Sequence, residues 1–172
     1  MRKLFAVLSI LLTTAVLLQF YLAAVGVFSN PEDELFILHA MNGRFVLPLL
    51  ALLLIISAAL AHAGKRLIWL SVLPLVLVLF QTVLFILTGT IFNVGPPSEG
   101  EAISIPLAAT FMLAFHAVNG AVIFFTCTVL IRRSWKLAFG AQTVPVTNPD
   151  DAVPARSMDA PTGSVEEVRR VP

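Results

Sequence analysis

Four long stretches of this chain carry no Asp, Glu, Lys or Arg: residues 4–31, 45–64, 67–98 and 102–131. Each holds the roughly 20 apolar residues needed to cross a bilayer core. The pattern predicts transmembrane helices over about 4–28, 31–63, 67–92 and 104–136, in a domain spanning 1–140. The fold class is therefore all-α, a four-transmembrane-helix bundle. The first run, from Leu4 to Phe28, is longer than the roughly 7–15 residues of a secretory signal core. It is read as a membrane anchor and first helix, with cleavage after Ala24 or Gly26 as the alternative.

The polar interruptions of these apolar runs repeat. Leu38-His39-Ala40-Met41-Asn42-Gly43 recurs as Phe115-His116-Ala117-Val118-Asn119-Gly120. Each copy follows a span with one glutamine, Gln19 or Gln81. Gln19-x-x-Leu22 matches Gln81-x-x-Leu84, and Gly26 roughly matches Gly89. The order predicts two similar hairpins related by a pseudo-two-fold axis along the membrane normal. Polar groups in lipid must find partners, so these residues are expected to meet inside one bundle. At about 1.5 Å per residue, Gln19, Gln81 and His116 lie about 22–24 Å from the basic ends of their spans. His39 comes out about 39 Å from Lys65 by the same rule. An earlier end to the second span, before His62, would lower it.

Punctuation follows from local chemistry. Asn30 suits an N-cap, Pro31 a first helical position, and Glu32, Asp33 and Glu34 the positive end of the helix dipole. Pro48 cannot donate to the carbonyl of Arg44 and predicts a kink; Pro74 predicts a similar bend. Ser104 and Pro106 look like the first turn of the last span. Beyond about Gln142 the chain turns proline-rich and polar, and residues 141–172 read as a disordered cytoplasmic tail.

Charge sets the expected orientation. Arg2, Lys3, Lys65, Arg66, Arg132, Arg133 and Lys136 fall at one set of helix ends, and Arg44 alone at the other. The positive-inside bias predicts a multi-pass protein of the cell membrane with both termini cytoplasmic. Trp69 and Trp135 stand beside the inner basic clusters, where interfacial indoles belong. Charged residues are 12% of the chain and the net charge is +1, so nothing supports nucleic-acid binding. The single cysteine, Cys127, excludes an internal disulfide and lies deep in the last span, where a thiol acts as a small hydrophobe.

Two readings of the histidines stand at this point. In the first, Gln, Asn and His tie helices together and Gly43 and Gly120 let them pack closely. In the second, His39 and His116, one from each hairpin, are axial ligands of a b-type haem. Gly43 and Gly120 would then clear space for the ring. Gln19, Gln81, Asn42 and Asn119 would surround it, and Arg44 would meet a propionate. Arg44 has a lipid phosphate or Glu34 as alternative partners. His62 lies at a membrane boundary and is simpler as an interfacial residue. The chain holds no nucleotide loop, nucleophile motif or His-Glu-x-x-His. Without intramembrane acids, a zinc, iron or copper site and a proton pathway both lack their usual residues.

The segments Gln19 to Phe28, His39 to Gly43, Gln81 to Asn93 and His116 to Gly120, with Arg132-Arg133, resemble an uncharacterised bacterial family, actinobacterial in type, of small four-helix membrane proteins. The resemblance covers about residues 4–133 and implies the fold without an activity or ligand. The layout is also similar, at fold level, to cytochrome b561-like subunits, but their four-histidine pattern is absent. The functional expectation is a small integral membrane protein without catalytic machinery, an accessory component among other membrane subunits in the lipid bilayer. A haem-binding electron-transfer protein is the alternative, and a transporter or channel for a neutral solute a second.

Overall fold

The computed structural model describes residues 1–93 and 105–140. The sequence reading of a tail over 141–172 lies outside them, as does Ser104. Four helices are long and apolar enough to cross a membrane: α1 Arg2–Phe28, α2 Phe36–Leu60, α3 Lys65–Phe92 and α4 Leu107–Phe139. Among the described residues every regular element is helical. Contacts run round a ring, α1 to α2, α2 to α3, α3 to α4 and α4 back to α1. A half-turn about the centre of that ring exchanges α1 with α3 and α2 with α4, as two related hairpins require.

The buried positions explain the ring. On α1 they include Phe5, Ser9, Leu12 and Val16, and on α2 Leu47, Ala51, Leu54 and Ala58, with Ala61 just past its end. Alternating steps of three and four residues make a seam that stays pointed at a neighbouring helix. Many seam residues are small, including Ser9, Ala51, Ser57, Ala58, Ser71 and Ser134, and small side chains let backbones approach in lipid. Their hydroxyls bond back within the helix, as in Ser9 to the Phe5 carbonyl at 2.8 Å and Ser71 to the Leu67 carbonyl at 2.9 Å. No seam hydroxyl of these needs a partner from lipid. Cys127 packs with Ile123 and Leu130 in the same core, as a small hydrophobe. The outward faces carry exposed Leu11, Leu53, Leu79 and Phe125, which suits contact with acyl chains.

The second span departs from the sequence reading at both ends. Its acidic start is a separate 3-10 turn, Pro31–Asp33, closed by the Asp33 amide on the Asn30 carbonyl at 3.0 Å. Glu34 then takes a left-handed conformation with φ of 51°, which breaks the helix, and α2 begins only at Phe36. The acids therefore do not occupy its first turn. At the far end α2 stops at Leu60 rather than 63. His62 adopts φ of 52°, its amide bonds the Ala59 carbonyl at 3.0 Å, and the Ala63 amide bonds the Ala58 carbonyl at 3.1 Å. That pair of bonds is a Schellman closure with histidine in the position glycine prefers.

Before Pro48, residues Asn42–Val46 form a π-helical turn inside α2. The Leu47 amide reaches back five residues to the Asn42 carbonyl. Pro48 has no amide to offer Arg44, and the widened turn accommodates that missing bond. Pro74 sits buried inside an unbroken α3. Pro106 precedes α4 and its carbonyl accepts the Thr110 amide at 3.1 Å, so the expected first turn is displaced to Leu107.

Candidate functional site

Gln19 continues the α1 seam one step beyond Val16, and Gln81 continues the α3 seam beyond Val78. His39 and Asn42 on α2, and His116 and Asn119 on α4, share one face because they stand three residues apart. The two hairpins then make the same pair of bonds. The Gln19 amide nitrogen donates to the His39 carbonyl at 3.0 Å, and Gln81 donates to the His116 carbonyl at 3.1 Å. The Asn42 amide donates to the Ala15 carbonyl at 3.1 Å, and Asn119 donates to the Leu77 carbonyl at 2.9 Å. Ala15 and Leu77 each lie four residues before their glutamine. In an antiparallel pair, one turn forward on one helix meets one turn back on the other, so the two bonds are rungs of one ladder.

The first hairpin closes its network. His39 Nδ1 lies 3.0 Å from the Gln19 carbonyl, which only accepts, so Nδ1 carries the proton. Nε2 is then an acceptor, and the Gln19 amide nitrogen stands 3.2 Å from it. Both protons of that amide are used, one on the ring and one on the His39 carbonyl. Its oxygen accepts from Asn42 at 2.7 Å. Asn42 is buried, and its second amide proton is the one that goes to Ala15.

The second hairpin leaves its network open. Gln81 Oε1 and His116 Nδ1 are buried without a hydrogen-bond partner. Gln81 touches the backbone of His116 and does not bond its ring. Of the two glutamines, only Gln19 stands within hydrogen-bond distance of a histidine ring nitrogen.

Across the bundle the histidines meet. The His39 and His116 rings stand 5.9 Å apart, edge to face at 63°. Phe36 packs on His39 at 5.1 Å and Phe85 on His116 at 5.0 Å. These phenylalanines were not among the candidates. Their signal was available, since Phe36 precedes His39 by three residues and Phe85 follows Gln81 by four.

The glycines are filled spaces rather than slots. A Cβ on Gly43 would lie 2.8 Å from the Gln19 amide nitrogen. A Cβ on Gly120 would lie 3.1 Å from the Phe20 ring, which stacks edge-on against Phe124 at 6.3 Å. Gly43 thus seats Gln19, and Gly120 seats a phenylalanine from α1. Arg44 is exposed on the π-helical turn, and His62 lies in the α2–α3 connection, far along α2 from this layer.

Residues 19–89 match a family of unknown function, DUF6220. That stretch opens on Gln19 and takes in His39, Asn42, Gly43 and Gln81, so the first network lies within it apart from the Ala15 carbonyl. No curated relative and no solved structure matches the chain.

Proposed function

We propose that this chain is a small, non-catalytic multi-pass protein of the cell membrane, with both termini cytoplasmic, that serves as an accessory component of a membrane assembly. The observation that carries the reading is the ladder made twice, glutamine to histidine carbonyl and asparagine to the carbonyl one turn before the glutamine. These side chains are engaged with helix backbone, which is what a tie between helices needs and a reaction centre does not. Lipid offers no competing partner, so each rung favours the paired hairpin. The partners in such an assembly would be other membrane subunits reached through the exposed apolar faces. The test is the size of the protein extracted from native membranes in mild detergent. A discrete complex larger than the chain and its micelle supports the role, and a lone monomer contradicts it.

One observation favours a second reading, a b-type haem between His39 and His116: the two imidazoles come from different hairpins and meet at 5.9 Å. The surrounding residues fit it poorly. His39 Nε2 already accepts from Gln19, and the spaces beside Gly43 and Gly120 hold Gln19 and Phe20. A ring there would require Gln19 to release the histidine and α1 to move off α4. Visible spectra of oxidised and reduced protein separate the two readings.

A further inference from the structure

We propose that the basic end of the bundle holds a site for the phosphate of an anionic phospholipid, seated between the α2–α3 connection and the last turns of α4. Lys65 and Arg66 from α3 and Arg133 and Lys136 from α4 line one open cavity of about 620 Å³, with Leu67 and Leu137 as apolar members. Four cations from two helices converge on a space wide enough for a headgroup. The described acids, Glu32, Asp33 and Glu34, lie in the connection between α1 and α2, at the opposite ends of these helices. The cavity is therefore complementary to negative charge.

Two features of the fold add to the cations. The N-terminus of α3 has no side-chain cap, and its backbone dipole turns a positive end toward the cavity. Gly64 supplies the entry turn with φ of 84°, and nothing lies within 4 Å of where its Cβ would stand. Phosphate oxygens can approach there as well as at the guanidinium forks of Arg66 and Arg133.

Depth and shape favour lipid over a free anion. Trp69 is 65% exposed and Trp135 52% exposed, each within one turn of the cavity cations along its helix. Indoles in that position belong at headgroup level. Lys65, Trp69, Leu73 and Val76 follow one another at helical spacing on one exposed face of α3. An acyl chain can lie along that face while its phosphate sits among the cations. Basic pockets between helices on one side of a membrane are known seats for such headgroups.

The test is native mass spectrometry of the full chain released from phosphatidylcholine vesicles containing phosphatidylglycerol. The proposal expects retained phosphatidylglycerol adducts. Arg66→Gln/Arg133→Gln should cut their fraction at least tenfold, while Arg2→Gln/Lys3→Gln, with the same charge change at the same end, should leave it within twofold. Should the first double variant fail to fold, Lys65→Gln/Lys136→Gln carries the same comparison. Equal losses in cavity and control variants would mean diffuse surface attraction and overturn the site. Displacement of the lipid by millimolar inorganic phosphate would assign the site to a free anion and overturn the lipid. Adducts gained only when Asp150, Asp151, Glu166 and Glu167 are neutralised in the full chain would make the tail the occupant, and would also overturn it.

Discussion

The two glutamines look equivalent along the chain and differ in what they bond, so replacing each by methionine should separate them. Methionine keeps most of the volume and removes the amide. Gln19→Met loses the bond to the His39 carbonyl, the bond to His39 Nε2 and the bond from Asn42. Interhelical bonds in lipid contribute roughly 0.6 kcal/mol each, so three of them come to about 2 kcal/mol. The His39 ring and the Asn42 amide are also left short of a partner, which keeps the cost at that level or above. Gln81→Met loses one bond, to the His116 carbonyl. It also removes Oε1, a buried oxygen that has no partner to lose. The two effects oppose, and the net change should stay within about 0.5 kcal/mol. Reversible unfolding in mixed detergent micelles, followed by far-ultraviolet circular dichroism, reads both values. A cycle with Asn42→Leu should show coupling to Gln19 of about 0.6 kcal/mol and none to Gln81. Equal destabilisation by the two methionine variants, or a larger effect at Gln81, would refute the assignment of a closed and an open network.

Other substitutions probe the helix contacts and the orientation. Gly26→Ala places a Cβ against the Phe36 ring and 2.8 Å from its Cα, so backbone must move, and thermal melting should show a loss of about 1–3 kcal/mol. Gly120→Ala meets only the Phe20 ring at 3.1 Å and should cost less than Gly26→Ala in the same assay. His62→Gly relieves a left-handed residue at the end of α2 and should raise stability by about 1 kcal/mol, read as an increase in melting temperature. In a chain lacking Cys127, an impermeant thiol reagent added to intact cells should label Ser98→Cys and spare Ser157→Cys. The reverse pattern would place the termini outside.

The spans and their polar rungs were legible because charge-free runs with repeated Gln and His-x-x-Asn-Gly leave few other ways to satisfy amides in lipid. Counted from the basic residues, Gln19, Gln81 and His116 shared one level and His39 stood apart from it. Counting from Lys65 put His39 about 39 Å away, whereas α2 ends at Leu60, about 32 Å from His39 at ordinary helical rise. Likewise α4 runs on to Phe139, about 35 Å from His116. Measured from these helix ends, the two histidines stand at similar levels. The end at Leu60 stood in the sequence only as an alternative end before His62, because histidine, not glycine, holds the left-handed position. The acidic turn misled for a related reason. Residues 30–34 have the composition of a helix start, but Glu34 turns the backbone the other way. The glycines were legible as close approaches. Which side chain fills each space depends on α1 rotating Gln19 and Phe20 inward, and neighbouring residues on one helix point to different sides, toward α2 and toward α4.

The central claim is that the polar layer ties the helices together without a cofactor, and the visible absorption spectrum tests that most directly. Full-length protein would be purified in detergent from a haem-replete host and measured oxidised and after dithionite reduction. The account predicts a stable, inserted protein with no Soret band in either state. It also predicts that His39→Gln, which retains a donor and an acceptor, costs only about the value of one interhelical bond, roughly 0.6 kcal/mol. A Soret band with sharp α and β bands on reduction, lost in both His39→Gln and His116→Gln, would contradict it and make the two histidines haem ligands.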